Sequence, residues 1–463
     1  MKGTLLKIYH RLPAPLRSVA ASMRGYYLRS WRYGSETGRL VEEALDRESW
    51  SIKQWTAWQE ERLAYVLGRA ATQVPYYREQ WAARRRAGNK ASWEYLENWP
   101  ILEKESVREN PRAFVADDCD VKHMFHEHTS GSTGKPLSLW WSRKTVREWY
   151  ALNEARTLSW NGVSRRDRWA MVAGQLVIPV SQRQPPFWVW NQGLNQLYMS
   201  SYHLAPDLMA SYLDALSRYR IIYLYGYPSS LCALAQAVLE SGRKDLRMAV
   251  ALTSAEPVYE YQRTAIAEAF NCPLRETYGM AEIVAMASEC TSARLHLWPE
   301  VGWLEVINDG QPTTSRASGD LVCTGLLNAD MPLVRYRTGD RGALMNSSEA
   351  CQCGRTLPVL GSVDGRIGDV LYTRDGRRVS RFGSVFSGDV AIREAQIVQE
   401  TLDRIRVNYV PAPSFASHHA QLIRQRVKDR MGDIEVVLEP LAEIPRGSNG
   451  KFRIVICKIP QHD

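Results

Sequence analysis

His-Thr-Ser-Gly-Ser-Thr-Gly-Lys-Pro-Leu, residues 128–137, is the stretch from which the rest of this chain is read. Gly131 and Gly134 stand among Thr129, Ser130, Ser132 and Thr133, and Lys135 and Pro136 close the run. Glycine lets backbone N–H groups come close to an anion, the hydroxyls add donors, and the lysine adds positive charge. That set of groups suits a polyphosphate tail. A Walker loop needs four residues between its glycines and a Ser or Thr after the Lys. Here two intervene and Pro136 follows, which disfavours a P-loop kinase. Taken alone, the ten residues read equally well as a hydrophilic Ser/Gly turn.

Working outward, 137–141 reads as a strand and 145–160 as a helix. Strand patterns at 169–172, 221–225, 248–252 and 274–277 alternate with helical ones at 208–219, 229–241 and 258–270. Such alternation predicts parallel sheet covered by helices, with ligands at the carboxyl ends of the strands. Strand-like pieces dominate 301–344. Before the loop, Ile52, Trp55, Leu63, Val66, Ala70 and Val74 recur at helical steps, and Pro75 ends that helix. The pattern changes near Asp364. Strands at 394–399, 404–410, 434–438 and 452–456 and a helix at 414–431 predict a small α+β domain over 365–463, after a large α/β domain over 1–364. Residues 1–50 are basic and aromatic, with Tyr26, Tyr27, Trp31 and Tyr33. They read as an arm packed on the large domain, in preference to an amphipathic helix in peripheral contact with a membrane.

The chain has 463 residues, 45% hydrophobic and 24% charged, the balance of a soluble globular protein with a large core. Its net charge of +9 favours anionic partners such as nucleotides, CoA, nucleic acid or a membrane face. The longest basic run, Arg84 to Arg86, reads as a solvated helical face rather than a nucleic-acid patch. No apolar run approaches a membrane span, and Pro13, Pro15 and Arg17 interrupt any secretory segment. A cytoplasmic protein is expected. Eight sparse cysteines agree with that, and Cys351-Gln-Cys353 has a spacing more natural for metal than for a disulfide.

Four further stretches belong with the loop. Tyr278-Gly-Met-Ala-Glu282 places an aromatic face and a carboxylate after a strand. Tyr336-Arg-Thr-Gly-Asp340 places a carboxylate after a tight turn. Gly365-Arg366 sits at the compositional boundary, and Lys451 sits in a glycine-rich loop. Each alone is a weak signal. Five in this order resemble the adenylate-forming (acyl-, aryl- and luciferase-type) ligase superfamily, over residue 50 to the end. Within it the chain looks most like the phenylacetate–CoA ligase family and its CapK-like branch, found with capsular polysaccharide genes. The branch cues are Arg-Leu-Pro at 11–13, Val-Pro-Tyr-Tyr at 74–77, Ser-Ser-Tyr-His at 200–203 and Gly-Tyr-Pro-Ser at 226–229.

The resemblance implies an adenylating large domain, a small mobile domain, and roles for individual residues. Thr129 to Lys135 would cover the β- and γ-phosphates of ATP. Tyr278, with Gly279, would lie against adenine, with the backbone of Ser254, Ala255, Glu256 and Pro257 on the other side. Glu282 would hold Mg²⁺, a cation that prefers carboxylates and substrate phosphates. Asp340 would accept from the ribose hydroxyls, and Arg366 would contact the nucleotide. Lys451 would reach the substrate carboxylate and the α-phosphate. Thr129, Glu282 and Lys451 form the catalytic set, and Tyr227, Pro228 and Ser229 are candidates for the acyl-pocket wall. The implied reaction joins a carboxylic acid to AMP, releases pyrophosphate, and passes the acyl group to CoA, a carrier thiol, or an amine or hydroxyl such as a glycan-related acceptor. The family usually has Asp or Lys as hinge two residues after the arginine, where this chain has Gly368 and then Asp369.

Cys290, His296, Cys351 and Cys353 offer three thiolates and an imidazole, the donor set of a structural zinc. By spacing alone, unpaired buried cysteines are the favoured reading; the branch's frequent Cys/His cluster at these places shifts it to Zn²⁺. His203, His123, His126 and His128 are read as structural. A different class of function also fits: a non-catalytic, nucleotide-binding or membrane-associated scaffold of a polysaccharide assembly. Retention of Glu282, Asp340 and Lys451 together argues against it.

Overall fold

The parallel strands expected in the middle of the chain form the centre of the fold. The computed structural model describes residues 3–88, 90, 93–128, 137–308, 310–313, 317–345, 351–366, 371–374, 378–379, 382–386, 390–447 and 452–459. Strands Gln196–Ser200, Trp169–Ala173, Tyr223–Gly226, Ala251–Thr253 and Leu274–Gly279 lie side by side in parallel. Helices Met209–Arg218, Pro228–Ser241 and Glu260–Phe270 make the crossovers that parallel neighbours require. Trp188–Asn191 closes the edge, antiparallel to Gln196–Ser200. Sequence reasoning did not separate that hairpin from its surroundings. Alternate residues Ala170, Val172, Leu197, Met199 and Leu224 are buried in one apolar core with Leu213, Leu216, Leu231 and Leu234 of the helices.

Leu274–Gly279 joins two sheets. Its first half pairs in parallel with Ala251–Thr253, and its end pairs antiparallel with Met286–Glu289. The run then continues antiparallel through Leu295–Leu297, Val359–Arg366, Tyr336–Leu344, Gly319–Gly325 and Gly302–Asn308. Thirteen described strands make one continuous ladder, and Tyr278 stands at its junction.

The helix Ile52–Gln73 starts where expected, because Ser51 and Gln54 form a reciprocal capping box. It buries Trp55, Leu63, Val66, Leu67 and Ala70, whereas Ile52 is exposed. Pro75 not only ends this helix but opens another, Pro75–Arg86, since proline is well placed in a first helical turn. Arg84, Arg85 and Arg86 occupy its last turn, where cations complement the helix dipole. The N-terminal arm is helical too: α1 (Gly3–Arg11), α2 (Ala14–Arg32) and α3 (Thr37–Asp46). The arm packs on the sheet: Tyr9 OH donates to the Val177 carbonyl (2.8 Å), and Arg17 donates to Gln182 Oε1 (2.9 Å).

A smaller C-terminal α+β unit has its own core. Ile392–Thr401 and Arg404–Pro411 form a hairpin, flanked in parallel by Val455–Cys457 and Glu435–Pro440. Helix Ser417–Met431 covers them through Ile423, Val427 and Met431. The fold is thus the expected α/β arrangement, with helix-covered sheets and a smaller α+β part. Gly368 and Asp369 lie outside the described residues.

Candidate active site

Residues that sequence reasoning grouped from distant places meet at the carboxyl ends of the parallel strands. Tyr278 is carried to that edge by Leu274–Gly279, and its hydroxyl donates to Asp340 Oδ2 at 3.1 Å across 62 positions of sequence. Burial, reinforced by the Asp340 charge, pushes the Tyr278 phenol well above its ordinary value, so it remains a donor. Gly279 leaves room for Met286, whose Sδ would lie 2.4 Å from a Cβ at this position. Asp340 does not follow a simple turn, as expected from its motif. It lies inside Tyr336–Leu344, where Gly339 takes φ 81° and the ladder to Gly319–Gly325 is irregular. Such an irregularity re-aims a side chain. The Asp340 N–H donates to Thr338 Oγ1 at 3.1 Å, which holds the turn of backbone in place.

Glu282 is buried beside this pair, on a tight turn closed by the Ile283 N–H to the Met280 carbonyl (3.0 Å). Ile283 sits at φ 47°, a costly conformation for a β-branched residue, and its buried packing in the core holds it there. The Glu282 Oε1 accepts from Lys104 Nζ (2.8 Å) and from the Tyr336 hydroxyl (2.8 Å). Burial alone would raise its carboxyl; the Lys104 ammonium and the two hydrogen bonds outweigh this and hold it below the ordinary glutamate value. An ionised carboxylate is what a hard cation needs. Sequence reasoning missed both partners. Lys104 is a surface-type residue in a short helix, and Tyr336 had appeared only as the start of the Asp340 motif.

The 254–257 segment does more than line a surface. The Ser254 N–H donates to the Gly226 carbonyl (3.2 Å), Ala255 takes φ 68°, and Pro257 is exposed. Glu256 contributes its side chain: Oε2 accepts from the Ser229 N–H (3.2 Å) and Oε1 from the Phe452 N–H (2.7 Å). Burial raises its carboxyl, against these bonds. Phe452 belongs to the C-terminal unit, so Glu256 ties that unit to the strand ends. Arg393 joins that unit to the last turn of helix Pro228–Ser241, pairing with Glu240 at 2.7 Å. Thr129, Ser130, Gly131, Ser132, Thr133, Gly134, Lys135 and Lys451 lie outside the described residues. Arg366 is described only in its backbone, which sits opposite Asp340 in the ladder.

A chamber of about 1390 Å³ runs from this edge along the other face of the parallel sheet. Trp169, Met171, Tyr223 and Tyr225, at alternate strand positions, and Tyr227, just beyond its strand, line one side, and α1 and α2 line another. His128 and Met286 mark its end near Tyr278. Of the acyl-pocket candidates only Tyr227 faces it; Pro228 and Ser229 are buried in the first turn of Pro228–Ser241. His203 is structural, bonded through Nδ1 to Ser200 Oγ (2.8 Å), and His126 stacks on Trp140.

Away from this edge, Cys290, His296, Cys351 and Cys353 bring their ligand atoms within 4.8 Å of one another. Cys290 Sγ is 3.7 Å from Cys351 Sγ, and Cys353 Sγ is 3.4 Å from His296 Nε2. Tetrahedral zinc with ordinary bond lengths spaces two sulfurs about 3.8 Å apart and sulfur and nitrogen about 3.5 Å apart. His296 Nδ1 meets the Leu357 carbonyl (3.0 Å), which leaves Nε2 to the cluster, and burial keeps the imidazole below its ordinary value. Gly354 makes the turn at φ 81°. The remaining five cysteines, Cys119, Cys232, Cys272, Cys323 and Cys457, are buried or half-buried free thiols.

The chain is similar to known proteins along most of its length. Residues 56–323 match the family described as AMP-binding enzyme, and residues 371–458 match the CapK C-terminal domain. Protein CapK of Staphylococcus aureus is 23% identical over 98% of this chain and 99% of its own length. The phenylacetate-coenzyme A ligase of Thermus thermophilus is 27% identical over 89% of this chain and 98% of its own. Among solved structures, 2-hydroxyisobutyryl-CoA ligase in the postadenylation state superposes with a TM-score of 0.71, at 21% identity, covering 89% of this chain and 92% of that one. The same ligase in an open conformation with CoA gives a TM-score of 0.54.

Proposed function

The chain belongs to the AMP-binding enzyme family, as an adenylate-forming ligase of the phenylacetate–CoA ligase type on the CapK-like branch, and from that premise we propose how its own residues divide the work. The reaction is ATP-dependent activation of a carboxylic acid. A carboxylate oxygen attacks the α-phosphorus of ATP, pyrophosphate leaves, and the acyl-adenylate is then attacked by the thiol of CoA, releasing AMP. The observation that carries this reading is the Tyr278–Asp340 contact at the strand ends. It sets an aromatic face and a ribose-binding carboxylate side by side, as recognition of a nucleoside demands.

Glu282, ionised and buried, is the residue that would hold Mg²⁺, which would neutralise charge on the phosphates. Lys104 stands beside the same oxygen and shares that site. The 129–135 loop would cover the β- and γ-phosphates. Lys451, one residue before Phe452 in sequence, would stabilise the α-phosphate as charge builds there. The part of the chain from 365 onward would turn about Gly368 between half-reactions, and release of Phe452 from Glu256 would accompany the turn. The chamber is assigned to the acid. Its volume of about 1390 Å³ and its tyrosines favour an acid with ring or chain surface. A structural zinc at Cys290, His296, Cys351 and Cys353 is favoured by the spacing of their ligand atoms.

The test is pyrophosphate release with ATP, Mg²⁺ and a graded panel of carboxylic acids, with the adenylate identified by mass. Bulky acids should be turned over and acetate should not. No release with any acid would remove the ligase reading.

A further inference from the structure

Half of the large apolar side chains exposed among the described residues, seven of fourteen, fall between Leu5 and Tyr27. They are Leu5, Ile8, Leu16, Val19, Met23, Tyr26 and Tyr27, each from 50% to 69% exposed. Steps of three and four along α1 and α2 put them on one face of each helix. The first 35 residues also hold seven Lys or Arg and no Asp or Glu. Lys7, Arg11, Arg24 and Arg29 are exposed beside the apolar stripe.

The opposite face of α2 is fixed to the protein. The Trp190 N–H donates to Ser18 Oγ (3.2 Å), the Gln192 N–H donates to Ser22 Oγ (3.0 Å), and Arg17 reaches Gln182. Gly25 lies so close to the sheet edge that a Cβ would stand 1.7 Å from Asn191 Oδ1. The helix therefore cannot roll to bury the stripe, and its outward face is set by the fold.

We propose that this face docks the enzyme on the surface of an anionic lipid bilayer, with the stripe entering the headgroup boundary and the basic residues meeting lipid phosphates. No helix of the described residues is long and apolar enough to cross a membrane, so the arm lies on the surface. The charge argues for lipid over a second copy of this chain. A two-fold dimer through this patch would set two strongly basic surfaces against each other. Tyr26 and Tyr27, apolar with a polar tip, suit the boundary region.

The experiment is flotation of the full-length chain with vesicles of phosphatidylcholine containing 40% phosphatidylglycerol, and with phosphatidylcholine alone. The anionic vesicles should carry the protein up, less so as salt rises, and the neutral ones should carry little. The double variant L16E/M23E should reduce partitioning at least tenfold while melting temperature and pyrophosphate release stay unchanged. K7Q/R11Q should weaken binding to the anionic vesicles by about fivefold per charge removed. Three results would each overturn the proposal: no flotation, equal flotation of wild type and L16E/M23E, or lipid-free self-association that L16E/M23E abolishes. The last would mean that the stripe is a subunit interface.

Discussion

The two faces of the parallel sheet are built from neighbouring residues of the same strands, and they differ in nearly everything else. Ala170, Val172, Leu197, Met199 and Leu224 face a dry core of leucines from the crossover helices. Trp169, Met171, Tyr223, Tyr225 and Tyr227 face a chamber roofed by the N-terminal helices. On the first face the side chains are buried among other parts of the chain. On the second, phenol rings and arginines line open space. The difference shows that a strand can serve stability and binding at once, because period two keeps the two sets of side chains apart.

Leu224 and Tyr225 test this division most sharply, since they are adjacent and point to opposite faces. Leu224→Ala should cost about 2–5 kcal/mol in denaturant unfolding, the range for a cavity in a closed core. Tyr225→Ala opens a wall that is already hollow and should cost only about 1 kcal/mol. It should instead raise the KM for the acid at least tenfold with the KM for ATP unchanged. Equal stability losses would erase the distinction between the faces.

The Cys/His cluster sharpens the contrast from the other side, because its polar groups are buried yet stand together without apolar filling. Freshly purified protein should carry about one zinc per chain by elemental analysis. Cys353→Ala should lose the metal and melt several degrees lower, while the Tyr225 phenotype stays absent. Protein without metal that is as stable as the wild type would reduce the four residues to buried polar packing.

The smallest effect is expected where Tyr278 meets Asp340. Asp340→Asn keeps the shape and the Tyr278 contact but loses the charge that strengthens ribose hydrogen bonds. ATP affinity measured by calorimetry should fall about tenfold, with the melting temperature nearly unchanged. Unaltered affinity would take Asp340 out of the site.

Much of this was legible in the chain. Ser51 with Gln54 marks a helix start, the alternating apolar segments mark parallel strands, and Tyr278, Glu282 and Asp340 stand out through the order of their motifs, which carries the family resemblance. Other readings went only part of the way. Pro75 was read as a stop when it is also a start, because its fixed φ suits the first turn of the next helix. Pro228 and Ser229 were placed on the acyl pocket with Tyr227, but the helix they open turns them into the interior.

By itself the sequence determined the periodicities, the types of chemical group and their order, and hence the family and the reaction. These are local or compositional properties, written in the spacing of neighbours. Only the tertiary structure decided that Lys104 and Tyr336 would share one oxygen of Glu282, and that Glu256 would reach across to Phe452. Only it turned the apolar stripe of α2 outward. Contacts between residues as far apart as 196 positions depend on how whole elements pack, and side-chain spacing along the chain carries no record of that.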